Sequence, residues 1–215
     1  MPSSIIRPVL LILLVMLGAC RPAEVAEEPE EAVSNEALRQ LYEEDQQERV
    51  GWEQLREKQH QEVFVRDKAR RVKVDEILAA GRARTAEDYY HAAMVFQHGE
   101  DSTDFRKAYE AARQAVALDS THALAGWLSA ASWDRYQLSM GKLQWYGTQY
   151  FSPDGIWQLQ PIDTTRVTDQ ERQRLGVLPL QQTRAFLQCM NNEENATISD
   201  CMIKQFEQNA PASGG

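Results

Sequence analysis

The stretch from Ala37 to Ala80 holds no proline and one glycine, Gly51, and is dense in charged residues. A run this long without a breaker predicts helix, either as one long element or as two broken near Gly51. Within it Leu38, Leu41, Asp45, Arg49 and Trp52 recur at intervals of three or four. Val63, Asp67, Arg70, Val74 and Ile77 do the same, so each set shares one helical face. Gly81 ends the run as a C-terminal cap would.

The same punctuation continues downstream. Thr85 followed by Asp88 is close to a capping box and opens a helix that runs to about His98 and stops at Gly99. Asp104 to Leu118 forms another helix with Phe105, Ala108, Ala112, Ala115 and Val116 on its packing face. Its end, Ala111 to Asp119, resembles the second helix of a tetratricopeptide repeat, but only one such unit is present and an array needs about three. Residues 122–140 predict a helix with Leu124, Trp127, Leu128, Ala131 and Leu138 buried. Two runs rich in aromatic and branched residues, 144–150 and 156–162, flank Ser152-Pro153-Asp154-Gly155, which is a turn signal. Short helices follow at 168–175 and 178–190. The expected fold is mainly α: a bundle of helical hairpins, one of them tetratricopeptide-like, with a small β-hairpin at about 144–162.

The N-terminus carries an address. Arg7 precedes an uncharged run from Val9 to Leu17, and Gly18 and Ala19 lead into Cys20, the pattern of a secretory signal peptide. Leu17-Gly18-Ala19-Cys20 also resembles the bacterial lipobox, which implies cleavage before Cys20 and acylation of that residue. The expected organisation is a signal at 1–19, a lipidated Cys and acidic tether at 20–36, a helical domain at 37–187, and a C-terminal extension at 188–215. That extension would hold a disulfide and a disordered tail. Cys189 and Cys201 are an even pair in an oxidising compartment and read as that disulfide, two free thiols being the alternative. The net charge of −9 becomes −10 once Arg7 leaves with the signal. Such a surface repels phosphate backbones and excludes nucleic acid as the expected partner. The membrane partnership falls to the lipid.

Chemistry is expected where charged groups fall on faces that should be buried. Asp45 with Arg49, Asp67 with Arg70, His91 and His98 on one helix, and Asp134 with Arg135 all do so. Gln97 and Gln149 add amides. Two readings stay open: a network of internal ion pairs, or a pocket for a polar small molecule or peptide. No cofactor is expected and no metal site: His91 and His98 lie seven apart, about 10.5 Å along a helix, too far to share one ion. A His98–Asp134 acid–base pair would make the site a hydrolase.

Phe96-Gln97-His98-Gly99, Asp134-Arg135, Gln144-Trp145-Tyr146-Gly147-Thr148-Gln149 and Leu175-Gly176 before Pro179-Leu180 together resemble an uncharacterised bacterial domain family. Asp45-Gln46 and Arg49 match its upstream element, and the likeness spans about residues 40–187. It implies a mostly helical domain without naming an activity, and adds Gln46, Tyr146, Gly147 and Thr148 to the candidates. Arg21 after the Cys, where the usual inner-membrane retention signal is Asp, implies the outer membrane. The expectation is thus an envelope lipoprotein with a ligand-binding or interaction domain, the hydrolase being the alternative.

Overall fold

Asn35 ties the first helix down at its start. Its side chain accepts from the Leu38 amide to cap α1 (Glu36–Gln47), and its own N–H donates to Asp88. Asp88 also accepts from the amides of Arg84 and Thr85, so one buried carboxylate ties the start of α1 to the start of α3 (Ala86–Gln97). The computed structural model describes residues 32–192 and Cys201. The signal peptide, Cys20 with most of its tether, and residues 193–200 and 202–215 of the extension lie outside the described residues.

The Pro-free stretch is two helices, not one. Gly51 takes φ 72°, a left-handed conformation that favours glycine, and a short 3-10 turn at Trp52–Gln54 leads into α2 (Glu57–Ala79). Next come α3, α4 (Ser102–Leu118) and α5 (Ala123–Ser139). The last three pack most closely, because their shared faces are alanines: Ala92 and Ala93, then Ala108, Ala111, Ala112 and Ala115, then Ala125 and Ala131. Leu38, Leu41, Val74, Ile77, Val95, Phe96 and Leu128 complete this core.

Three expectations shift in detail. The helix expected from Asp104 starts at Ser102, because Asp101 accepts from the amides of Thr103 and Asp104 and caps it there. The buried face of α5 is rotated by about one position. Leu124 and Trp127 are 59 % and 42 % exposed, while Ala125, Leu128 and Ala131 are buried, since the alanine face of α4 takes small side chains at close range. Regular pairing in the hairpin is short: β1 (Tyr150–Phe151) lies antiparallel to β2 (Gln158–Leu159), with Tyr150 opposite Leu159. Beyond it the segment 144–149 meets the partner run only at its ends, Gln144 in a parallel bridge to Ile162 and Gln149 bonded to Gln160, and side chains hold the residues between. Thr168 and Glu171 form a capping box on α6 (Asp169–Arg174), and α7 (Leu180–Asn192) follows Pro179. Cys189 on α7 is disulfide-bonded to Cys201, with their Cα atoms 5.7 Å apart, and Cys201 is fully buried against Phe186 and Leu187. Among the described residues no helix is long and apolar enough to cross a membrane.

Candidate functional site

The segment Gln144–Gln149 is clamped from two sides. On one, Asp134 of α5 accepts from the amides of Trp145 (2.7 Å), Tyr146 (2.9 Å) and Thr148 (3.0 Å) and from the Thr148 hydroxyl (2.8 Å). On the other, the buried guanidinium of Arg172 donates to the carbonyls of Trp145 and Tyr146. Gln144 fills the remaining gap, its side chain bonding the backbone of Gln149 at both N–H and C=O. Gly147 turns the chain at φ 83°, and a Cβ there would come within 3.2 Å of Ile162 and Leu180. That turn breaks strand alternation, so Thr148 and Gln149 both face α5.

A second cluster joins α1 to α2 through charge. The Arg49 Nη2 bridges Asp45 (3.0 Å) and Asp67 (2.8 Å). Asp67 also takes Arg70, which with Arg66 pairs to Glu48. Burial would raise the Glu48 carboxyl, but the Arg70 and Arg66 guanidiniums outweigh it and hold the group below its ordinary value. Asp45 in addition accepts from Gln46 (2.9 Å) and meets the His98 Nδ1 at 2.8 Å. The partner of His98 is therefore Asp45, not Asp134: the four donors of the clamped segment already occupy both Asp134 oxygens.

Arg135 ties the end of α3 to the clamped segment. Its Nη1 donates to the Gln97 carbonyl (3.0 Å) and its Nε to the Gln149 side chain (3.2 Å), while Ser132 holds the Gln97 amide oxygen. Gln149 in turn donates to Thr148. Asp45, Gln46, Arg49, Asp67, Arg70 and His98 thus form one hydrogen-bonded network, and Gln97, Arg135, Gln149, Thr148 and Asp134 a second; the two meet where His98 follows Gln97 in the chain and together make a seam. Arg135 has no carboxylate partner among the described residues; both its acceptors are neutral. Burial, and then the Arg49 charge, lower its pKa from the ordinary guanidinium value. The Nη1 of Arg49 is buried with no hydrogen-bond partner.

The seam is layered by sign. Asp45, Asp67 and Asp134 are buried, whereas Arg49, His98, Arg135, Gln46 and Gln149 are half-buried and form the outer rim. Burial pushes the Asp134 carboxyl above its usual range, and the amides of Tyr146, Thr148 and Trp145 oppose that push. Asp45 and Asp67 hold Arg49 from the buried side, whereas Arg70 is itself buried and Asp134 serves the clamped segment alone.

Other candidates sit elsewhere. His91 is buried, stacks on Tyr42 at 4.5 Å and pairs with Glu87 at 2.9 Å; burial lowers its pKa against the pull of Glu87. Tyr146 lines a cleft with Tyr109 and Arg174, away from His98. Glu48, Arg71, Ser132, Gln144 and Arg172 belong to the seam or its support, and sequence spacing did not single them out. Arg172 carried the nearest signal, as a basic residue in a short capped helix. Among the described residues no group of three or more His, Cys, Asp or Glu is placed to hold a metal ion. An apolar cavity of about 320 Å³ lies beside the hairpin, lined by Trp127, Tyr150, Trp157, Val177, Phe186 and Met190 among others, with Thr148 at its polar edge. Comparison with family models, with curated proteins and with solved structures finds no match for this chain.

Proposed function

We propose that this protein is a lipid-anchored component of the bacterial envelope, facing the periplasm from the outer membrane, whose helical domain binds a polar, anionic ligand at the outer rim of the seam. The carrying observation is Arg135, a half-buried guanidinium whose two acceptors are both neutral, with the Arg49 charge near enough to add to burial in lowering its pKa. A guanidinium with no counter-charge gains from an anionic oxygen, because hydrogen bonds between charged partners are about twice as strong as neutral ones. Arginine suits carboxylate and phosphate because its donors are planar and paired. The Leu17-Gly18-Ala19-Cys20 motif and the acidic tether support the address, and the Cys189–Cys201 disulfide accords with an oxidising compartment.

Isothermal titration of the folded domain with inorganic phosphate tests the reading. Binding is expected, and Arg135→Met should abolish it; the change strands no carboxylate but takes the donor from the Gln97 carbonyl and the Gln149 amide oxygen, a loss of about 1–3 kcal/mol that leaves the domain folded. Equal phosphate affinity in Arg135→Met would remove the rim from consideration.

A further inference from the structure

Trp127 lies off the alanine face of α5, 42 % exposed, and forms one wall of the apolar cavity of about 320 Å³. Tyr150 and Trp157 come to that cavity from the hairpin, Val177 and Leu178 from the turn after α6, and Phe186 and Met190 from α7. These walls are fastened to one another. The Tyr150 and Phe186 rings pack 5.7 Å apart. The Trp157 N–H donates to the Asn191 side chain (2.7 Å), and the Asn191 amide donates back to the Trp157 carbonyl (2.9 Å). Walls held this way form the cavity before a ligand arrives. Among the described residues no charged side chain lines it, and the Thr148 hydroxyl at its edge is committed, donating to Asp134 and accepting from Gln149. Water needs two to four polar partners to stay in such a space, whereas hydrocarbon needs none. A dry cavity of about 150 Å³ takes one benzene, so this one has room for a single chain of about ten to twelve carbons.

We propose that this cavity binds the hydrocarbon chain of a single-chain amphiphile whose uncharged head stays outside, beside the exposed Trp127. The site is separate from the anion-binding rim, and neither reading depends on the other. Its aromatic lining fits an amphiphile better than a wholly apolar molecule. Trp127, Tyr150 and Trp157 are only partly buried, and each carries a polar tip on an apolar body, which suits a boundary between hydrocarbon and water. The Tyr150 hydroxyl has no hydrogen-bond partner among the described residues, and burial pushes its pKa up to about 12, so it stays a neutral donor for a hydroxylated head. The head is uncharged because the chain carries a net charge of −9 and no cation lines the cavity, so an ionised carboxylate would meet no counter-charge there. Affinity comes from the chain: each methylene taken out of water is worth a gain of about four-fold, and the gain stops when the cavity is full.

The test is titration calorimetry of residues 21–215, which keep every described residue, with n-alkyl maltosides below their micelle concentrations. Affinity should rise about four-fold per methylene and level off at about ten to twelve carbons. Fatty acids of equal chain length should bind more weakly. Val177→Phe and Met190→Phe each fill the space from a different wall, so either one that folds should abolish binding of the decyl compound. Trp127→Ala, at an exposed position, should weaken that binding about ten-fold and leave phosphate titration unchanged. An affinity that climbs without levelling off, or that survives in the folded filling variants, would place the chains on the surface and overturn the proposal. Tighter binding of the fatty acids would overturn the uncharged head. No binding by the unaltered chain would overturn the site; binding gained in an Ile203→Asp, Phe206→Asp double variant would then assign the cavity to the chain's own C-terminal residues.

Discussion

Two aspartates with similar burial do opposite work. Asp134 collects four donors from a single loop and so holds structure, while Asp45 collects an arginine, an amide and an imidazole from three directions and so presents groups. Asp134→Asn would turn an amide toward backbone N–H groups that now have acceptors, costing about 3 kcal/mol. At about 2–4 °C per kcal/mol for a domain of this size, the melting temperature should fall by roughly 6–12 °C. A melt within about 2 °C of wild type would show that the clamp is dispensable. The sequence marked both aspartates as misplaced on apolar stripes, which was correct, but it joined His98 to the wrong one. Helical spacing reports which face a residue occupies; it carries no information on which face of another helix, 53 residues earlier in the chain, lies opposite.

At the scale of elements, the breaks were easier to read than the faces. Gly51, Gly81, Thr85 with Asp88, and Thr168 with Glu171 act through local backbone geometry and neighbouring donors, so their effect is written within a few residues. The face of α5 was not, because it depends on alanines contributed by α4. The segment 144–149 has strand composition yet pairs with the run 158–163 only at its ends, since between them Asp134 takes the amides that a partner strand would have bonded. Element α7 depends on a cross-link as well as on packing. Its disulfide joins residues 12 apart, and in the chain-entropy model such a loop adds about 3 kcal/mol. Reductant should therefore lower the denaturant midpoint of the wild type and leave a Cys189→Ser, Cys201→Ser double variant unaffected. Identical midpoints for the wild type with and without reductant would remove the disulfide from the stability of the domain.

For the whole molecule, the proposed anchor at Cys20 and the proposed site in the helical domain belong to separate stretches of the sequence, and each can be removed without the other. Cys20→Ala should abolish incorporation of labelled palmitate and leave phosphate binding by the purified domain intact. Persistent labelling would refute the lipobox reading. The layered seam also has a kinetic side. The molecule carries a net charge of −9, so an anion is repelled at long range and attracted only over the last few ångströms, where the guanidiniums lie. Added salt weakens the first effect before the second, because screening sets in over about 10 Å at 0.1 M ionic strength. Association with the rim is then faster in a salty medium than in a dilute one, the reverse of the behaviour of a basic protein. The same field discriminates by size: a small anion fits wholly within the attractive zone, whereas the distant charges of a polyanion remain in the repulsive one and hold it off.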